Sequence, residues 1–152
     1  MIKFAFSLND IYMKKPNTLL IIATILLILA FFAHTFGGDL ELQLIKPETD
    51  KQPELQIWTM MRCGWHWISF DLLFAAIGLI LVNFTNYFES PGTILKCLRI
   101  YFFGYAVVWL GVVLISDPFP YNTLKLGQWI LLLTIFALIH FANRKMHIHA
   151  KA

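Results

Sequence analysis

Four long apolar stretches constrain this chain more than any other feature of its sequence. They cover about residues 18–36, 58–88, 98–115 and 124–141. An α-helix rises about 1.5 Å per residue, so some 20 apolar residues span the roughly 30 Å hydrocarbon core of a bilayer. We therefore predict an all-α integral membrane protein with four transmembrane helices in an up-down bundle. Residues 1–152 are expected to form a single domain.

The composition excludes several classes of protein. Of the 152 residues, 59% are hydrophobic and 14% are charged, whereas roughly a quarter are charged in a soluble domain. The net charge of +3 is too small to indicate a nucleic-acid partner. Cys63 and Cys97 lie at opposite ends of the second and third stretches, which excludes an intrachain disulfide. That in turn excludes quinone-linked disulfide oxidases, which need paired cysteines.

The connections between the stretches carry the turn-forming residues. Gly37-Gly38 is predicted to end the first helix, and residues 39–57 form the longest polar segment, part of an external loop over residues 37–57. Its leucines could form a short strand or lie on the membrane surface. Pro91-Gly92 is predicted to break the next connection, and the Pro-rich segment 116–120 to stop the third helix. Residues 143–152 read as a basic tail.

The distribution of basic residues predicts the orientation in the membrane. Cytoplasmic loops carry an excess of Lys and Arg. With both termini cytoplasmic, eight of the twelve basic residues lie inside: Lys3, Lys14, Lys15, Lys96, Arg99, Arg144, Lys145 and Lys151. Residues 39–57, which are acidic, then lie outside. We expect a multi-pass protein of the bacterial inner membrane with short cytoplasmic termini.

Polar side chains that could bind a ligand are concentrated at the predicted outer ends of the first two helices. His34 and His66 should lie at similar depth, and Arg62 shares a helix face with His66 because the two are four residues apart. Asp39 can fold back toward them, and Trp65 lies beside His66. Such a cluster suits an anionic or quinone-like head group. The histidines could instead ligate a haem or, with Asp39, a divalent metal. The plainer alternative is a set of separate interfacial anchors.

Asp71 is an acid inside the second apolar stretch. On a helical wheel it shares a face with the small residues Gly64, Ala75 and Gly78, a pattern that lets helices approach closely in lipid. We therefore predict that Asp71 faces a neighbouring helix. It is either a proton-linked or ligand-binding carboxylate, or a hydrogen-bonded acid that stabilises helix packing.

Two of these segments carry a resemblance. His34-Thr-Phe-Gly-Gly-Asp39, followed by Arg62-Cys-Gly-Trp65-His66, resembles a pattern in small bacterial inner-membrane proteins of unknown function. Those proteins have four spans, an H-[S/T]-x-x-G-[D/E] step after the first and R-x-x-W-H opening the second. The similarity covers about the first half of the chain and extends more loosely to Gly127-Gln128-Trp129. It implies the same fold and a shared outer-face cluster, and it implies no activity.

The sequence favours a protein that is not an enzyme. We expect an accessory or interaction subunit, or a small module that binds a lipid or a quinone. The alternative is a proton-coupled transporter or a haem- or metal-binding redox protein that uses Asp71 or the pair His34 and His66. The expected partners are membrane lipid and other membrane proteins or further copies of the chain.

Overall fold

A computed structural model describes residues 16–116 and 121–149, apart from the side chains of residues 122, 124 and 147–149. Within these ranges the chain is helical and contains no strand, which confirms the all-α class. The elements are α1 (Thr18–Phe32), a π-helical turn (Ala33–Gly37), α2 (Gly38–Leu44), α3 (Gln52–Phe84), α4 (Pro91–Ile115), α5 (Tyr121–Lys125) and α6 (Gln128–His149).

Four of the helical segments are long and apolar enough to cross a membrane. They contain 27, 33, 25 and 19 residues and cover Thr18–Leu44, Gln52–Phe84, Pro91–Ile115 and Gln128–Met146. Their exposed surfaces are rich in large apolar side chains such as Leu29, Phe74 and Val108. Hydrocarbon covers such surfaces without cost, so the chain is a multi-pass membrane protein.

The prediction that Gly37-Gly38 ends the first helix is wrong. Both glycines have right-handed helical backbone angles, and the chain continues through the π-helical turn into α2 as far as Leu44. The helical propensity of glycine is poor by about 1 kcal/mol. Contacts between this segment and Trp65 of α3 outweigh that cost.

Residues 39–57 are therefore mostly helical, the predicted loop is shorter than expected, and the strand considered as one alternative does not form. Only residues 45–51 connect α2 to α3, and α3 begins at Gln52, not at Trp58. The backbone N–H groups of Lys51 and Gln52 donate to the carbonyls of Glu48 and Asp50, at 3.2 Å each, and close this turn. The polar residues of this segment lie on two helix ends joined by a short turn.

The remaining helix ends also differ from the predicted ones. α3 ends at Phe84, not at Phe88, and Pro91 begins α4 where it was expected to interrupt the chain. Proline suits the first turn of a helix because the N–H that it lacks has no intrahelical acceptor there. α6 continues to His149 through most of the predicted basic tail. Residues 1–15, 117–120 and 150–152 lie outside the described residues.

The chain divides into two compact units. One unit comprises Thr24–Ile77, and the other combines the residues up to Ala23 with those from Gly78 onward. The first unit contains the end of α1, the π-helical turn, α2 and most of α3. Its buried side chains include Leu27, Trp58 and Leu72.

The second unit is built mainly on the packing of α4 against α6. Its fully buried side chains include Phe102 of α4 and Ile135 and Ile139 of α6. Asn17 caps α1 here, since its Oδ1 accepts a hydrogen bond from the Leu19 N–H at 3.0 Å. The Asn17 N–H in turn donates to Oδ1 of the buried Asn83, at 2.7 Å.

Candidate functional site

A π-helical turn positions the first two residues of the site. The backbone N–H of Gly38 donates to the carbonyl of Ala33, five residues earlier, where an α-helix would bond four residues back. Residues five apart therefore lie one turn above each other in this segment. His34 and Asp39 are five apart, and an ordinary α-helix would place them about 140° apart around the axis. The π-helical turn brings both toward the same face.

Asp39 joins α2 to α3 through two hydrogen-bonded partners. Arg62 donates from Nε to Asp39 Oδ1 at 2.6 Å and from Nη2 to Oδ2 at 3.0 Å. His66 Nε2 lies 3.2 Å from the same Oδ1. Since a carboxylate only accepts, His66 is the donor and carries its proton on Nε2. The two-point arginine contact is the strong, directional form of a carboxylate ion pair.

His34 and Trp65 form the second part of the site. Their rings are stacked, with centroids 3.9 Å apart and planes 8° from parallel. The indole Nε1–H of Trp65 donates to the backbone carbonyl of His34 at 2.7 Å. The Nδ1 atom of His34 lies 2.9 Å from the hydroxyl of Ser69, one turn further along α3. Trp65 thus fixes both the ring and the backbone of His34.

Gly38 lets the two helices approach at this point. A Cβ built on its backbone would overlap with the Trp65 indole, whereas one built on Gly37 would meet nothing within 4 Å. Gly38 is accordingly buried. The glycine is therefore required for close packing of the indole ring, and its backbone angles are those of an ordinary helix.

Trp58 supports the cluster from the side of α2. Its side chain is buried, and its Nε1–H donates to the carbonyl of Leu42 at 2.8 Å. The charged groups of Lys46 and Arg62 each lie 5.5 Å from the centre of the Trp58 ring, within the range of a cation–π interaction. Arg62 is thus held by a carboxylate and by an aromatic ring.

The structure brings the five predicted residues together in the unit Thr24–Ile77, in two adjoining groups. Asp39, Arg62 and His66 form one, and His34 and Trp65 form the other. We refer to all five as the outer cluster, after the membrane face on which the sequence predicts them. The two imidazoles have different hydrogen-bond partners.

Three further residues contribute to the site and are not among the candidates predicted from the sequence: Gly38, Trp58 and Ser69. Trp58 and Ser69 each lie four residues from a predicted member on the same helix, so extending the helix face would have found them. Gly38 was interpreted as a helix stop. No pattern in the sequence identifies it as a packing position, because its neighbour Trp65 lies on another helix.

The geometry gives no support to a resident metal. Among the residues that the structure describes, no group of three His, Cys, Asp or Glu side chains is placed to hold a metal ion. The imidazole of His34 has one face against an indole and one nitrogen at a hydroxyl. His140 belongs to the other compact unit. The described residues therefore form no metal site with three or more such ligands.

Asp71 lies on α3, five residues after His66. It is partly buried and has an interaction partner. Ala75 on its predicted face is buried, whereas a Cβ on Gly64 would meet nothing within 4 Å. The small-residue face thus packs closely only along part of its predicted length. Cys63 and Cys97 are both free and exposed.

No protein-family model, curated protein or solved structure matches this chain. The resemblance carried by the segments His34–Asp39 and Arg62–His66 therefore stays a hypothesis.

Proposed function

We propose that the protein is a non-enzymatic, multi-pass inner-membrane protein that binds the polar head of a neutral amphipathic molecule, a quinone or a zwitterionic lipid, at the outer cluster. One observation carries this proposal. Arg62 and His66 both donate to one oxygen of Asp39, yet their side chains remain 39% and 42% exposed. The donors are positioned by the protein and still accessible.

Arg62 has N–H groups that do not bond to Asp39 and can donate to such a ligand. A guanidinium has five N–H groups, and Asp39 accepts from two of its nitrogens. The remaining N–H groups can donate to a carbonyl or ester oxygen. A bond of this charge-assisted kind is stronger than one between neutral groups.

The charge of the cluster favours a head group without net negative charge. Asp39 already forms a two-point ion pair with Arg62, so the positive charge of Arg62 is compensated locally. An anionic phospholipid, whose phosphate has no ammonium group to balance it, would have to compete with that carboxylate. A quinone carbonyl would need only the free N–H groups, and it would leave the ion pair intact.

The surroundings suit the apolar body of such a molecule. Phe36 and Phe70, in the same compact unit, are large apolar side chains with most of their surface exposed. An isoprenoid or acyl chain would cover such surface. Side chains at the membrane boundary combine polar tips and apolar bodies in this way.

Native mass spectrometry of the gently solubilised protein tests the proposal. We expect one bound molecule of a short-tailed ubiquinone or of phosphatidylethanolamine per chain. Arg62→Gln should lower the occupancy about ten-fold or more, since it removes a charge-assisted donor. Lys51→Gln makes the same charge change at an exposed position outside the cluster and should have no effect.

Equal occupancy in Arg62→Gln and Lys51→Gln would refute the binding site. The same spectra report the copy number of the chain and any protein that remains attached. They therefore also test the proposed role as an accessory subunit in a homo-oligomer or a complex.

A further inference from the structure

A second polar cluster lies in the other compact unit, between α4 and α6. Nη1 of Arg99 lies 3.0 Å from Nδ1 of His140. Both side chains are partly buried. A guanidinium cannot accept a hydrogen bond, so Nδ1 of His140 is the acceptor and carries no proton in this contact. Unlike Arg62, Arg99 is therefore bonded to a group that does not compensate its charge.

Neither helix provides an acid to pair with Arg99. The sequences of α4 and α6 contain no Asp or Glu. The two helices are antiparallel, because Arg99 contacts His140 whereas Phe103, four residues later on α4, packs against Phe136, four residues earlier on α6, with ring centroids 5.2 Å apart. The beginning of α4 and the end of α6 therefore lie at one end of this helix pair.

That end also carries exposed basic residues. Lys96 lies one turn before Arg99 on α4, and Arg144 lies one turn after His140 on α6, next to Lys145. All three are exposed. We call Lys96, Arg99, His140, Arg144 and Lys145 the basic cluster. The positive-inside rule accounts for an excess of cations at one membrane face, but it does not account for the pairing of a partly buried arginine with a neutral imidazole.

We propose that the basic cluster binds the phosphate of an anionic phospholipid, with Arg99 as its principal donor. The planar guanidinium matches two phosphate oxygens, and among the described residues no carboxylate forms an ion pair with Arg99. Basic pockets between membrane helices suit such head groups. In this arrangement His140 orients Arg99, and the surrounding cations attract the lipid to the site.

Exposed apolar side chains around the basic cluster favour a lipid as the ligand over free phosphate. Ile100, Phe103 and Phe141 are large, exposed apolar side chains next to Arg99 or His140 in sequence or one turn away. An acyl chain would cover them, and inorganic phosphate would not. The phosphate group is common to both ligands, so the experiment must separate them.

Native mass spectrometry with titrated lipid tests this site. We expect saturable binding of phosphatidylglycerol and weak binding of phosphatidylcholine at the same concentration. Arg99→Gln should lower phosphatidylglycerol binding about ten-fold or more, because it removes a charge-assisted contact. Lys125→Gln makes the same charge change on α5, outside the cluster, and should leave binding unchanged.

Lys96→Gln provides a second measurement at an exposed residue whose replacement does not threaten folding. It should weaken phosphatidylglycerol binding by about five-fold, the effect of one cation near a membrane surface. Equal binding of the two lipids, or equal effects of Arg99→Gln and Lys125→Gln, would overturn the proposal. Displacement of the lipid by inorganic phosphate at millimolar concentration would overturn it in favour of a free-phosphate site.

Discussion

Trp65 lies flat against the imidazole of His34 and donates a hydrogen bond to the backbone carbonyl of the same residue, at 2.7 Å. The carbonyl belongs to the π-helical turn, where the regular ladder of hydrogen bonds is interrupted. A donor from α3 thus bonds to a backbone carbonyl of the irregular turn. The relationship links the shape of the first membrane helix to one side chain of the next.

Replacing Trp65 with Phe should destabilise the protein by about 1 kcal/mol, the usual net value of one hydrogen bond. A smaller aromatic ring is retained, while the donor to the His34 carbonyl is lost. Trp67→Phe is the matched control, because Trp67 is 74% exposed. The free energy of unfolding, measured by titration with a denaturing detergent, should fall in the first variant only. Equal losses in both would mean that the bond contributes nothing.

Gly38→Ala should destabilise the first compact unit by about 1–3 kcal/mol, the usual cost of overpacking. The added methyl group would overlap with the Trp65 indole. Gly37→Ala should be neutral or slightly stabilising, since alanine fits its helical angles and open surroundings. Thermal unfolding of the two variants makes the comparison. A Gly38→Ala protein as stable as Gly37→Ala would show that the helices can separate at no cost.

Asp39 and Arg62 should behave as one energetic unit. Asp39→Asn and Arg62→Gln each remove one half of the two-point ion pair. The double variant should therefore lose less stability than the two single losses added together. A double-mutant cycle on the free energy of unfolding measures this difference. If the stability losses of the two single variants simply add up in the double variant, the ion pair does not stabilise the fold.

The orientation can be tested with reporter fusions on each side of the membrane. A fusion after Lys51 should be active only with a periplasmic reporter, and one after Lys151 only with a cytoplasmic reporter. The reason is the positive-inside distribution, with eight of twelve basic residues on one side. A periplasmic reporter active after Lys151 would reverse the assignment.

Asp71 should tolerate removal of its charge but not its reversal. Asp71→Asn retains hydrogen-bonding capacity at a partly buried position and should leave the fold intact. Asp71→Lys places a longer side chain and a cation within a membrane helix, where insertion costs about 2.5–3.5 kcal/mol at the helix centre. Membrane-fraction yield should fall for the lysine variant. Asp50→Lys, in the exposed connection before α3, serves as the control.

The sequence by itself determined the membrane architecture and the members of the outer cluster. Four apolar stretches predicted four spanning helices, since hydropathy sums local properties that tertiary contacts do not change. The four-residue spacing of Arg62 and His66 predicted a shared face for the same reason. Their approach to Asp39 and His34 was predicted from two helix ends of similar depth, whereas the helices that hold these residues continue to Leu44 and begin at Gln52.

Tertiary structure decided how those residues are connected. The sequence predicted a helix stop at Gly37-Gly38, where the chain instead forms a π-helical turn and continues to Leu44. The propensity of glycine is a local quantity of about 1 kcal/mol. It is outweighed here by the packing of Gly38 beneath the Trp65 indole and by the hydrogen bond from that indole to His34. Both contacts join residues more than 25 positions apart, and no local pattern records them.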